Sequence, residues 1–471
     1  MDKLFSDGVK IIEELNDHGH EAFVVGGYVR DFLSGLRPHD IDLTTSASSD
    51  EILSIFEHSK EVEFKGKGRT AGVTIVNGIE VATFRKEVYS DTELSFETGS
   101  SLREDVQRRD LTINGLAMTK EQNVIDYVDG INDLKNRLIR FVGDPGKRLR
   151  EDPPRAFRAI RFGALDKYKF TDLTWEALVQ FGMKKWTPEE VIKEEVIKAL
   201  LNPNIDIAKY VQILDRLGYL ELVFPSIRKI ITFKPSGTTP FHKESLIEHS
   251  LQSCAKAKEK NLSLEMRLAC LLHDVGKPYT ESVDAGVAHN YSHELASTDL
   301  AREELQNLTF STEQINKICS LIRNHMKPIP KTPKQMRRLL SRLKDTISFQ
   351  EFCDIWLIDK TCRTLNQAGR IILGDIYEPE KEVKTALSLY ELVKDDPVKT
   401  SMLVINGNDV LKELNIVGGP RVGKILSVLT EMVIDKSSLN ERSYLLRMIT
   451  TINNRLADST CETISDKDIS T

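Results

Sequence analysis

Asp40-Ile41-Asp42 sets two carboxylates around a single apolar residue. On a strand, with its period of two, both would point to one face and could share divalent metal ions. Upstream, Ala22-Phe23-Val24-Val25 is short, apolar and β-prone, and it runs directly into Gly26-Gly27-Tyr28-Val29-Arg30-Asp31, a polar, helix-compatible segment. Glycines let backbone N–H groups approach a triphosphate without a Cβ in the way, and the positive end of the following helix favours an anion there. Each feature alone is weak, since Asp-x-Asp is ordinarily a solvated turn or a helix cap. Together, with Arg30 between them, they describe a site for nucleotidyl transfer. The carboxylates would hold Mg²⁺, which activates an attacking 3′-hydroxyl and neutralises the departing pyrophosphate.

Further along, Arg108-Arg109-Asp110-Leu111-Thr112-Ile113-Asn114 is at its plainest a surface ion pair. In a functional reading Arg109 contacts the nucleotide phosphates, while Asp110 and Asn114 fix a strand-to-helix turn and the ribose. In Glu151-Asp152-Pro153-Pro154-Arg155 the double proline is tolerated only at a helix start, which makes Asp152 the expected N-cap and Pro153 the first helical residue. Arg155, Arg158 and Arg161 then recur every third residue. Stacked arginines repel one another, so a purely structural role needs carboxylates opposite them, and an anionic substrate is the simpler partner. Asp152 and Arg155 can also read a base edge. The carboxylate accepts from the exocyclic amine of cytosine or adenine and the guanidinium donates to the adjacent ring nitrogen, whereas guanine and uracil present a carbonyl to the carboxylate.

A second constellation comprises His249 on an expected helix, His273-Asp274 closing the next, His293, His325, and Asp359 within a later helix. Imidazole and carboxylate together suit a divalent transition ion, so His249, His273, Asp274 and Asp359 are the expected ligands. His325 reads as a satisfied core histidine. Lys327, Lys331, Lys334, Arg337, Arg338, Arg342 and Lys344 form the best candidate for a track along an RNA backbone. Near the end, Ile405-Asn406-Gly407 leads to Gly418-Gly419-Pro420-Arg421, where glycine N–H groups at a helix start could meet a phosphate. The alternative is an ordinary corner between two helices.

The elements that must position these residues change character along the chain. After an amphipathic helix over residues 4–18, short strands dominate to about residue 84, with Asn77-Gly78 as a hairpin turn, giving a small, mostly antiparallel sheet. Residues 86–105 are polar and aperiodic and read as a flexible loop over the site. From Pro153 onward amphipathic helices follow one another, and the last residues, from Ala457, are polar, acidic and expected to be disordered. At 471 residues the chain needs several cores, and its net charge of −6 rules out a generic polyanion binder, so any nucleic-acid contact must be local. The six cysteines show no metal-knot spacing and read as reduced thiols. With no apolar run long enough for a bilayer and no signal-peptide pattern at the start, the expectation is a cytoplasmic protein with no membrane partner and no obligate protein partner.

The ordered motifs Gly26-Gly27-x-Val29-Arg30-Asp31, Asp40-x-Asp42, Arg108-Arg109-Asp110-x-Thr112-Ile113-Asn114 and Glu151-Asp152-x-x-Arg155-x-x-Arg158-x-x-Arg161 resemble the class II (bacterial-type) tRNA nucleotidyltransferase and poly(A) polymerase family. The set His249, His273-Asp274, Asp359 resembles an HD domain. The resemblance implies an α+β fold: a polymerase-β-like nucleotidyltransferase head (1–139), then an all-α neck that selects the nucleotide (140–234), an HD body (235–373) and a helical, tRNA-binding tail (374–471). It implies Mg²⁺ on Asp40 and Asp42, and nucleotide contacts from Gly27, Arg30, Arg109, Asp152, Arg155, Arg158 and Arg161. The expected activity is addition of CCA to the 3′ end of tRNA from CTP and ATP without a nucleic-acid template. The alternatives are A-only addition, poly(A) synthesis, or a metal-dependent phosphohydrolase centred on the HD residues. Two departures stand out: Ser90–Phe96 lacks the family's Arg-x-Pro, and Pro188–Glu195 lacks the arginine that the family carries before its glutamates.

Overall fold

The computed structural model describes residues 2–59, 61–65, 73–89, 94–98, 100–182, 187–237, 245–343, 346–363 and 378–458. The chain separates into two compact units, Met1–Arg228 and Lys229–Thr471, with the division inside the stretch assigned to the neck. The expected boundary near Gly374 and most of the C-terminal tract lie outside the described residues.

The first unit is built on a seven-stranded sheet of order β3-β4-β5-β2-β1-β8-β9. Its strands are β1 (Ala22–Val25), β2 (Asp42–Thr45), β3 (Val62–Lys65), β4 (Val73–Val76), β5 (Ile79–Thr83), β8 (Leu116–Met118) and β9 (Val124–Asp126). All neighbours run antiparallel except β2 and β5. The Asn77-Gly78 turn joins β4 to β5 with both residues at positive φ, 49° and 81°, the geometry that a tight hairpin requires. Side-chain alternation gives the sheet two buried faces. Val24, Leu43, Val81, Leu116 and Met118 pack under α1 (Lys3–Asp17), which contributes Phe5, Ile11, Ile12 and Leu15, and against Ile52 of α3 (Ser49–Ile55). On the opposite face Val25, Phe84 and Ala117 meet Leu102 and Val106 of α4 (Leu102–Gln107).

The described residues of the 86–105 segment are regular rather than aperiodic. β6 (Arg85–Tyr89) and β7 (Leu94–Thr98) pair antiparallel, and Ser101 starts α4 through a capping box with Glu104. Helices take over beyond β9: α5 (Gly130–Asn136), α6 (Pro145–Glu151), α7 (Arg155–Gly163), then Asp172–Phe181, Glu189–Leu201 and Ile207–Arg216.

Among the described residues the second unit is helical, apart from a short hairpin, Ser282–Asp284 with Val287–His289. Capping boxes at Ser245/Glu248, Ser311/Gln314 and Ser348/Glu351 fix the starts of helices Leu246–Glu259, Thr312–Asn324 and Phe349–Thr361. Helices Gly407–Leu414, Pro420–Asp435 and Arg442–Asp458 close over their own core of Val410, Ile425, Leu429, Val433, Leu445 and Ile449. No described helix is long and apolar enough to cross a membrane.

Candidate active site

β1 ends at Val25, and Gly26 turns the chain at φ 74°, a conformation natural to glycine, before α2 (Gly27–Leu33) begins. Val25 sits opposite Asp42 on β2, and Asp42 opposite Glu80 on β5. Directly paired residues face the same side of a sheet, so Asp42 and Glu80 share the face of Val25, next to the glycine bend. Asp40 precedes β2 rather than lying on it, so the period-two argument covers Asp42 alone. Asp40 nevertheless reaches the same bend.

The bend is a cradle that side chains would fill. A Cβ at Gly26 would come within 3.4 Å of Arg109 Nη1 and 4.0 Å of Asp42 Oδ2, and one at Gly27 within 3.7 Å of Arg30 Nη2 and 3.9 Å of Asp40 Oδ1. Two acids and two arginines therefore converge on backbone that lacks side chains. Burial pushes the Asp42 carboxyl up to about 6, with the negative charges of Asp40 and Glu80 adding to it and Arg109 opposing it. A site that crowds carboxylates until one resists ionisation fits a divalent cation, and Arg109 Nε, buried with no hydrogen-bond partner among the described residues, fits an anion beside it. Glu80 was not singled out in the sequence. The available signal was a glutamate on the face of β5 opposite Ile79, Val81 and Thr83.

A network of ion pairs holds the arginines. Arg109 donates to Asp105 Oδ2 at 3.2 Å and Arg108 to Asp105 Oδ1 at 2.6 Å. Asp105 is fully buried; burial alone would raise its pKa, but Arg109 and Arg108 hold it below the ordinary value. Arg30 donates to Asn114 Oδ1 at 2.7 Å and to Asp31 at 2.9 Å, and its guanidinium lies over the Phe162 ring. Asn114 donates to Asp110 at 3.4 Å, and Asp110 accepts from the Leu111 amide and from Arg158 at 2.7 Å. Thus Asp110 and Asn114 tie Arg30 of α2 to Arg158 of α7.

The carboxylates required opposite the three α7 arginines are present, which corrects the expectation that an anionic substrate is their simpler partner. Arg158 pairs with Asp110, Arg161 with Glu195 at 2.5 Å, and buried Arg155 with Glu151 at 3.2 Å and Asp152 at 3.4 Å. Arg155 also donates to the carbonyls of Arg148 and Arg108. Asp152 is not an N-cap: it closes α6, and α7 starts at Arg155 after the Pro153-Pro154 turn. Its side chain, 42% exposed, stands beside that of Arg155. A separate cavity of about 800 Å³, lined by Thr112, Tyr127, Arg140, Phe141 and Arg148 among others, includes none of these proposed contacts.

In the second unit, packing of helices Leu246–Glu259, Leu264–Leu272 and Phe349–Thr361 brings the expected ligands together. His249 Nε2 lies 3.1 Å from His273 Nε2 and 3.1 Å from Asp359 Oδ1, and Asp274 Oδ2 is 3.4 Å from His273. All four residues are buried; His249, His273 and Asp274 lie close enough together to hold a metal ion, and so do Asp274, His293 and His325. Despite burial, Lys277 holds Asp274, and Arg363 with Lys360 holds Asp359, well below the usual carboxylate range. His325, fully buried with Nδ1 on the Ile322 carbonyl, also brings its Nε2 to 3.3 Å from that of His293.

The basic track also needs correction. Arg337 is buried and donates to the carbonyls of Ile434 and Asp435 and to Asp396, while Lys334 and Arg338 pair with Asp435, so these three pin helix Pro333–Leu343 to the end of helix Pro420–Asp435. Lys344 lies outside the described residues. In the tail motif Asn406 caps its helix and Asp409 pairs with Arg442, while the space around Gly418 and Gly419 is open.

Residues 22–140 match the family of the Poly A polymerase head domain and residues 246–362 that of the HD domain. The CCA-adding enzyme of Ligilactobacillus salivarius is 30% identical over 451 residues, which span 94% of this chain and 95% of the relative. The chain belongs to the CCA-adding enzyme family. Another member, from Anoxybacillus flavithermus, is 28% identical over 456 residues, 94% of this chain and 96% of that one. The fold agrees with the family: the crystal structure of the Bacillus stearothermophilus CCA-adding enzyme in complex with CTP superposes with a TM-score of 0.64 at 20% identity, covering 98% of this chain and all of that one.

Proposed function

We propose that the chain adds CCA to the 3′ end of tRNA from CTP and ATP, without a nucleic-acid template. The observation that carries this reading is the convergence of Asp40, Asp42 and Arg109 on the Gly26-Gly27 bend, in a chain alignable along nearly its whole length with CCA-adding enzymes.

Asp40 and Asp42 would hold Mg²⁺, which when bound supplies charge neutralisation at the triphosphate and makes the primer hydroxyl easier to deprotonate. The crowding that pushes Asp42 up to about 6 supports that assignment, since a dication relieves it. Glu80, paired with Asp42, adds a third carboxylate to the same face. Arg109 and Arg30, flanking the bend, orient the phosphates so that the 3′-hydroxyl meets the α-phosphorus in line with the leaving pyrophosphate. Gly27 leaves room for that approach. Asp152 accepts from the amine of cytosine or adenine and Arg155 donates to the ring nitrogen, and Arg158 and Arg161 hold the helix that presents them. This reading keeps the division into head, neck, body and tail, with Mg²⁺, tRNA, CTP and ATP as partners. The five described cysteines are free, which suits a reducing cytoplasm.

The test uses tRNA that ends before the first C of CCA. With CTP alone the product should grow by two nucleotides, and with CTP and ATP by three. No incorporation from CTP would overturn the reading in favour of A-only or poly(A) addition. The buried His249, His273 and Asp274 cluster, with Asp359 3.1 Å from His249, supports a second, independent activity, metal-dependent phosphoester hydrolysis. His273→Ala should abolish that activity and leave nucleotide addition unchanged.

A further inference from the structure

One face of α7 lies against the head. Arg155, Arg158 and Phe162 occupy positions i, i+3 and i+7, a single side of a helix. Each meets a different residue there: Arg155 donates to the Arg108 carbonyl at 3.2 Å, Arg158 to Asp110 at 2.7 Å, and the ring of Phe162 lies 4.8 Å from Cζ of Arg30. Phe162 is the apolar member of this row and is buried. Arg161, next to it in sequence, also stands over the ring, at 4.3 Å, and its Nε is tied to Glu195 of helix Glu189–Leu201. The ring is thus anchored on its own side before it meets Arg30.

Arg30 is held by its edges and by its face. A guanidinium is a planar fork whose N–H groups point outward in that plane. Nε and Nη2 meet Asp31 Oδ1 at 2.9 and 2.8 Å, and Nη1 donates to Asn114 Oδ1 at 2.7 Å. These contacts fix two edges of the fork, and the Phe162 ring against its face fixes the tilt. Nη2 has two protons and, among the described residues, one acceptor. It stands 3.7 Å from the place a Cβ on Gly27 would take, so its second proton belongs to the edge nearest the glycine bend.

We infer that Phe162 is a positioning residue for nucleotide binding: its ring holds the Arg30 guanidinium at the tilt that presents Nη2 to the triphosphate. The inference rests on the reading of the Gly26-Gly27 bend as the triphosphate site. Burial of α7 alone would be served as well by leucine; the attraction to a cation requires the electron-rich face of an aromatic ring. Arg155 and Phe162 are two turns apart on one helix, about 10 Å along its axis. The base contact therefore belongs to the start of α7 and the support of the phosphate contact to its end. Phe162 acts through Arg30 on the phosphates, which CTP and ATP share, and not on the base edge.

The test weakens the ring's face without emptying its place. In the full-length protein Phe162 is replaced by mono-, di- and trifluorinated phenylalanine, and the affinities for CTP and for ATP are measured by calorimetry without tRNA. Both affinities should fall stepwise with fluorine count, reaching about fivefold for the trifluorinated ring, while the thermal midpoint stays that of the wild type. In an Arg30→Gln chain, where the cation is gone, the trifluorinated ring should weaken binding no further. Where a fluorinated chain is unstable, Phe162→Tyr against Phe162→Leu reads the same contrast: tyrosine should retain binding and leucine should lose it for both nucleotides equally. Affinity independent of fluorine, a fluorine effect that persists with Arg30→Gln, or a loss confined to one nucleotide would overturn the inference. Failure of the underlying reading looks different: wild-type protein that binds CTP yet does not extend tRNA.

Discussion

Asp42→Asn should make the metal-free protein more stable while removing its activity. Burial, with Asp40 and Glu80 close by, moves the Asp42 carboxyl from 3.8 up to about 6. At about 1.4 kcal/mol per tenfold change in proton affinity, that displacement corresponds to about 3 kcal/mol. Asp42 keeps some solvent contact, so about 2 kcal/mol is the working figure. An acid whose folded pKa lies above its unfolded value binds protons more tightly in the folded state. Stability therefore falls as pH rises through the window from about 4 to 6, and the full penalty is present at pH 7. Asparagine has the same shape and no charge. In EDTA at pH 7.5 the variant should melt higher than the wild type by about 2–4 °C per kcal/mol, given the size of the first unit. The gain should vanish near pH 4. Saturating Mg²⁺ should reverse the order, because at 100 times its dissociation constant an ion that binds only the folded wild type adds about 2.7 kcal/mol. Thermal denaturation across pH, with and without Mg²⁺, reads all three effects. A variant less stable than the wild type at pH 7.5 in EDTA, or a difference independent of pH, would refute the electrostatic reasoning.

Two other perturbations separate holding from binding. Arg161→Ala strands the buried Glu195 and should cost about 3–5 kcal/mol, whereas the double change Arg161→Met and Glu195→Leu should recover much of it; urea titration checks both. Arg337→Ala should destabilise the second unit by several kcal/mol in the same assay, because it vacates the helix end at Ile434 and Asp435, while exposed Lys331→Ala should leave stability within about 0.5 kcal/mol.

What the sequence discloses of the site divides by distance along the chain. The strand, the Gly26-Gly27 bend and the acid pair lie within about twenty residues of each other, and local pattern suffices for them, as it does for the Asn77-Gly78 turn. Glu80 reaches Asp42 only through the parallel register of β2 and β5, which no local pattern displays. The same limit hid the partners of Arg158 and Arg161, though not those of Arg155, whose Glu151 and Asp152 lie within four residues. Asp110 and Glu195 come from segments far removed in sequence, so the charge run reads as unpaired until the chain folds. The β6–β7 pairing was missed because Arg85-Lys86-Glu87 opens β6 with three charges and the alternation of Leu94 and Phe96 in β7 is too short to stand out alone. The spacing of the histidines does not display the meeting of His325 with His293, which depends on how two helix ends pack.

The central claim is that the acids beside the glycine bend carry nucleotide transfer. Single-turnover addition of radiolabelled CTP to tRNA ending before CCA, measured for Asp40→Ala and Asp42→Ala proteins that retain wild-type circular dichroism, tests it most directly. Both rates should fall at least about a thousandfold, a loss of about 4 kcal/mol of transition-state stabilisation, with tRNA affinity changed little. Rates within about tenfold of the wild type would contradict the account.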